Sequence, residues 1–151
     1  MDFLWSPWRY CYVSSASPDD ECFFCRKVSE SDDKKNYILL RAEHNFVLLN
    51  AYPYTAGHSL IAPYKHASSL ADTDPRTLEE MMLLAQRMET ALRSVYNPGG
   101  FNMGINVGTS AGAGVPGHLH MHILPRWTGD VSFMTSIAET RVLPEELDVT
   151  Y

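Results

Sequence analysis

Between residues 117 and 125 the chain reads Gly-His-Leu-His-Met-His-Ile-Leu-Pro. Histidine alternates with an apolar residue, so His118, His120 and His122 recur at a strict period of two. An extended strand sends successive side chains to opposite faces, which predicts one face of imidazoles and one of Leu119, Met121 and Ile123. The apolar face demands a core to pack against. The other face carries side chains that titrate near neutrality, ligate metals and act as nucleophiles. A sheet with one packed side and one chemical side follows.

The rest of the chain supplies that sheet and its cover. Tyr37 to Leu40, Phe46 to Leu49 and His58 to Pro63 read as short strands with short connections, hence an antiparallel meander turning at Glu43-His44-Asn45. Asp74 suits a helix N-cap, Pro75 the first helical position, and Asn97-Pro98-Gly99-Gly100 a stop, so a helix is expected over Pro75 to Tyr96. Leu78, Met81, Met82, Ala85, Met88, Leu92 and Val95 fall at steps of three and four and define its expected core face. Phe101 to Val107 reads as another strand, followed by a glycine-rich loop at 108–117 that runs into the histidine strand. The stretch from Ser29 to Lys35 reads as a solvated loop. The expected fold class is α+β: an antiparallel sheet of about five strands with the long helix on one face.

At 151 residues the chain suits one domain, 1–151, with an aromatic arm at 1–21 and a tail at 131–151. Phe3, Trp5, Trp8, Tyr10 and Tyr12 are dense for an arm and point to docking or a dimer contact. A formal charge of −6 argues against nucleic acid or an acidic membrane as partner. The first residues lack a basic segment followed by an apolar run, and no apolar stretch nears the roughly 20 residues of a membrane span. Cys22 and Cys25 stand as Cys-x-x-Cys among three cysteines, which in a cytoplasmic protein suggests metal or redox chemistry.

A glycine-rich loop feeding a row of imidazoles suits an anion held by backbone N–H groups beside a nucleophile. It is neither a Walker loop, since no Gly-Lys-Ser/Thr follows, nor a dinucleotide fingerprint, since a strand and not a helix comes next. Phosphoryl or nucleotidyl transfer fits this pairing, because the protein's work there is positioning and charge stabilisation. Three facing imidazoles also permit an open catalytic metal site.

The segment His118-Leu119-His120-Met121-His122-Ile123-Leu124 resembles the signature of the histidine triad superfamily of nucleotidyl hydrolases and transferases. The resemblance extends from Trp5-x-x-Trp8-Arg9 through Leu48-Leu49-Asn50, Gly57-His58, Pro63-Tyr64-Lys65-His66 and Asn106-Val107-Gly108 to Pro125-Arg126-Trp127-Thr128-Gly129-Asp130. The aromatic start and the Pro-Arg-Trp-x-Gly-Asp ending look like the diadenosine tetraphosphate phosphorylase-like branch. The resemblance implies a dinucleoside polyphosphate as substrate, with phosphorolysis favoured over hydrolysis and a nucleoside phosphoramidate hydrolase as the alternative.

Carried over by position, the resemblance makes His120 the nucleophile that takes up the nucleotidyl group. His122 becomes the phosphate contact and His118 the residue that orients the site. Asn50 matches a ribose contact and Asn106 a polar neighbour of the nucleophile. Ser110, Gly112, Gly114 and Gly117 lie where the phosphate path is lined. Some branches hold a structural zinc through Cys-x-x-Cys, a Pro-x-x-His histidine and the first triad histidine, and this chain offers Cys22, Cys25, His66 and His118. A cytoplasmic homodimer, with inorganic phosphate as acceptor, completes the expectation.

Overall fold

The computed structural model describes residues 21–130 and 147–151. The aromatic arm, and the tail up to residue 146, lie outside the described residues. Five strands form one antiparallel sheet: β1 (Ile38–Arg41), β2 (Asn45–Leu49), β3 (Ser59–Pro63), β4 (Gly100–Ile105) and β5 (Met121–Arg126), in the order β1-β2-β3-β5-β4. The expected meander is β1-β2-β3. The chain then leaves through the long helix to lay β4 at the sheet edge, and β5 returns to fill the place between β3 and β4.

Two short helices precede the sheet, α1 (Phe23–Ser29) and α2 (Asp33–Asn36). They flank the solvated loop expected from Ser29 to Lys35: residues 30–32 remain loop, and α2 takes up its last residues, Asp33 to Lys35. Local capping explains them. Arg26 and Lys27 fall in the last turn of α1, where cations complement the helix dipole. The Asp32 carboxylate accepts the Lys35 N–H at 3.0 Å to start α2, and Tyr37 closes it at φ 54°.

Helix α3 (Pro75–Tyr96) runs between its anticipated caps. Asp74 accepts the Arg76 N–H at 2.9 Å, and Asn97, at φ 45°, returns its N–H to the Arg93 carbonyl. Its buried stripe is Thr77, Met81, Leu84, Ala85 and Leu92, with Leu78 and Met88 partly covered. Met82 and Val95, expected on this face, are 60% and 73% exposed. They sit one residue off the stripe, and the 3.6-residue turn carries them round to solvent. A final turn, α4 (Leu147–Thr150), lies near β1, where Tyr37 donates to Asp148 at 3.0 Å.

Both sheet faces are covered, by different material. Val47, Ile61, Leu119, Met121 and Ile123 pack with Met81, Leu84, Ala85 and Leu92 of α3. On the opposite face Phe24 from α1 packs with Ile38, Phe46, Leu48, Leu60 and Ala62. This second face is where the histidines lie.

Candidate active site

The histidine segment is extended, but strand pairing begins only at Met121, opposite Ile61 and Ile105. His118 and His120 therefore precede β5, and only His122 lies within it. The alternation survives without the ladder. The Leu119 N–H is held by the Ala67 carbonyl at 2.7 Å, and its side chain enters the α3 core. His118 and His120 turn the other way and meet the Phe24 ring, at centroid distances of 5.0 and 4.9 Å. His122 follows, 4.9 Å from His120 ring to ring. The single imidazole face predicted from the period of two is present.

Hydrogen bonds to groups with only one possible role assign each ring its tautomer. The His118 Nε2 lies 2.8 Å from the Pro63 carbonyl, so it carries the hydrogen. Its Nδ1 lone pair then points at Cys22 Sγ (3.3 Å) and Cys25 Sγ (3.6 Å). His120 inverts this arrangement. Its Nδ1–H donates to the His118 carbonyl at 2.8 Å, which leaves Nε2 with the lone pair.

His122 is set by His58, which the sequence places at the start of a strand. His58, buried just ahead of β3, accepts the Tyr54 N–H on Nδ1 at 3.1 Å. Its Nε2–H therefore donates to the His122 Nδ1 at 3.0 Å. His122 is left with its hydrogen on Nε2. One imidazole thus offers a lone pair and its neighbour a donor. Asn50 stands beside this relay, its Nδ2 3.4 Å from the His58 ring and its Oδ1 accepting the Tyr52 N–H. His58 shares parity with Leu60, and the structure pairs Leu60 with His122, which brings the two imidazoles to one face.

Burial lowers the proton affinity of all three triad histidines. For His118 the neighbouring His66 and His120 add to desolvation. Desolvation dominates at His120, opposed by the bond to the His118 carbonyl. Desolvation and the nearby His120 push His122 down to about 4. These shifts all favour the neutral imidazole, the form that leaves a lone pair on His120 Nε2.

The cysteines and two histidines form a second, adjoining group. One ligand atom from each of Cys22, Cys25, His66 and His118 lies within 4.8 Å of the others, and the group could hold a metal ion. Cys25 Sγ is 3.5 Å from His66 Nδ1. Nitrogen–sulfur separations of 3.3, 3.5 and 3.6 Å match the edge of about 3.5 Å for a tetrahedron with metal bonds near 2.0–2.3 Å. Burial, then hydrogen bonding and charge from Cys22, push the Cys25 thiol up, which favours its protonated form until a cation displaces the proton.

The loop residues stand apart from this geometry. Ser110 lies in a 3₁₀ turn (Thr109–Ala111), exposed, as are Gly112, with φ 85°, and Gly114. A Cβ added at Gly117 would lie 3.8 Å from the His66 ring, which places this glycine beside the cysteine–histidine group. Asn106 is half-buried just beyond Ile105, whose partner is Met121.

The HIT domain family profile matches residues 31–129. AP-4-A phosphorylase of Mycobacterium tuberculosis is 35% identical over 95% of this chain and 77% of its own length. A Zn-bound histidine triad family protein from Mycobacterium smegmatis superposes with a TM-score of 0.68 at 30% identity, covering 86% of this chain and 88% of its own. A histidine triad nucleotide-binding protein from Sulfolobus tokodaii gives 0.63 at 30% identity, covering 72% and 71%. Among the described residues no helix is long and apolar enough to cross a membrane.

Proposed function

Since the chain belongs to the histidine triad family, we propose that it splits dinucleoside polyphosphates of the diadenosine tetraphosphate type through a nucleotidyl group carried on His120. The observation that carries the reading is the opposed pair of tautomers: a lone pair on His120 Nε2 beside a donor on His122 Nε2. In the first step His120 Nε2 bonds to the α-phosphorus and the bond to the bridging oxygen breaks, releasing ATP. Positive charge develops on the imidazole, and its Nδ1–H bond to the His118 carbonyl strengthens. The His122 Nε2–H stabilises the charge building on the phosphoryl oxygens. In the second step an oxygen of inorganic phosphate attacks the same phosphorus, the N–P bond breaks, and ADP leaves with His120 neutral again.

Asn50 takes the ribose contact, Asn106 flanks the reacting phosphate, and Ser110, Gly112, Gly114 and Gly117 line the phosphate chain. Cys22, Cys25, His66 and His118 hold a structural zinc ion, supported by the tetrahedral spacing and by the Zn-bound relative. When bound there, the ion supplies a cross-link between α1 and the histidine segment. The reading extends to a homodimer, for which β4, an edge strand among the described residues, with Met103 40% exposed, offers a surface. It also extends to a cytoplasmic location, where the thiols of Cys22 and Cys25 stay reduced.

Product analysis with and without phosphate tests the proposal. ADP plus ATP, formed only when phosphate is present, is the expected result. AMP plus ATP in phosphate-free buffer would replace phosphorolysis with hydrolysis.

A further inference from the structure

Phe24 stands between the two cysteines in sequence and against two triad imidazoles in space. Its ring is tilted 45° to that of His118 and 40° to that of His120, with centroids 5.0 and 4.9 Å apart. It is 1% exposed. Phe23 and Phe46 lie edge-on to it at 5.2 and 6.4 Å. The ring cannot retreat without displacing the apolar cluster behind it.

The need for such a wall follows from how His120 is otherwise held. Its hydrogen bond to the His118 carbonyl fixes one ring nitrogen. It does not fix the plane of the ring, and the last torsion of histidine is broad and roughly two-fold rather than sharply staggered. A nucleophilic nitrogen aimed at phosphorus needs both position and direction, and misplacement by about 1 Å can cost 10²-fold in rate. We propose that Phe24 is a positioning residue whose ring sets the plane of the His120 imidazole and ties the nucleophile to the cysteine-bearing helix α1. The inference rests on the reading of His120 as nucleophile. It also gives the Cys-x-x-Cys segment a task beyond ligation: the second of the two residues between the ligands is the contact through which α1 reaches the reacting nitrogen.

The test compares Phe24→Leu, which removes the flat ring, with Phe24→Tyr, which keeps it, and with Phe23→Leu as a control. The Phe23 ring touches Phe24 and lines the same cluster. Single-turnover formation of the His120 adduct from diadenosine tetraphosphate is measured in the full chain, with zinc content read by atomic emission. Phe24→Leu is expected to slow adduct formation about 10- to 100-fold, with KM moved less than about twofold and zinc retained. Phe24→Tyr and Phe23→Leu are expected to stay near the unmodified rate. NMR of the unmodified chain adds a measurement needing no variant: nuclear Overhauser contacts between the Phe24 and His120 rings and one sharp Nδ1–H signal are expected. An unchanged rate in Phe24→Leu, an equal loss in Phe23→Leu, or absent ring contacts would overturn the positioning role. An adduct on another residue of the unmodified chain would instead overturn the nucleophile assignment beneath it.

Discussion

The two faces of this sheet share strands and differ in what the strands ask of them. Toward α3 the strands present Val47, Ile61, Met121 and Ile123 to methionine and leucine, with burial as the whole content of the contact. Toward α1 they present apolar residues to Phe24, and β5 with the segment leading into it adds three imidazoles whose hydrogen bonds each fix a tautomer. The first face stabilises through area and tolerates any residue of similar shape. The second holds nitrogen atoms in assigned protonation states, so a change of one atom matters there. A single stretch, Leu119 to Ile123, serves both because its parity assigns each residue to one side.

The sharpest way to break this division is to exchange effects between the faces. His120→Asn is expected to lower kcat by at least about 10³-fold while leaving the thermal midpoint nearly unmoved. Met81→Ala, on the α3 face, is expected to cost about 2–5 kcal/mol of stability in denaturant unfolding with kcat per folded molecule preserved. If Met81→Ala abolished chemistry in the folded fraction, the two faces would not be separable.

Smaller effects sharpen the comparison. His58→Phe removes the donor that sets His122, and about 10- to 100-fold is expected to be lost from kcat/KM. A larger pH effect on His122 in that variant than in the parent would show that the relay works through the tautomer.

Acid probes the imidazole face as a whole. The folded His122 binds its proton only near pH 4, whereas an unfolded histidine binds near 6.5. The unfolded state therefore holds more protons between these values, and stability rises with pH across that window. Acidification from pH 7 should leave stability intact to about 6.5 and erode it progressively toward 4, as read by urea midpoints. The smallest change is expected from Val95→Lys, at the exposed back of α3, within about 0.5 kcal/mol.

What could be read from the sequence followed from strong local signals. The period of two at His118 to Ile123 gave the divided faces, and Asp74, Pro75 and Asn97 gave both ends of α3. The Cys-x-x-Cys, His66 and His118 set came through resemblance, and the fold brings those four side chains together. What escaped depends on distance along the chain or on short-range capping. His58 acts on His122 across 64 residues, through a β3–β5 register that no local pattern announces. Nothing local sets Phe24 apart from Phe23; only the placing of α1 brings it against two imidazoles. Helices α1 and α2 are seven and four residues long, too short for an apolar periodicity to show. Met82 and Val95 missed the buried stripe by one residue, an error of phase that only the packed partner corrects.

The central claim is that His120 carries the nucleotidyl group while its neighbours fix and assist it. Rapid mixing with diadenosine tetraphosphate in phosphate-free buffer, acid-free quenching and peptide mass spectrometry test it directly. The account predicts one adenylyl group on His120, absent from His120→Asn and discharged as ADP when phosphate is added. Turnover by His120→Asn at the parental rate, or an adduct on any other side chain, would contradict it.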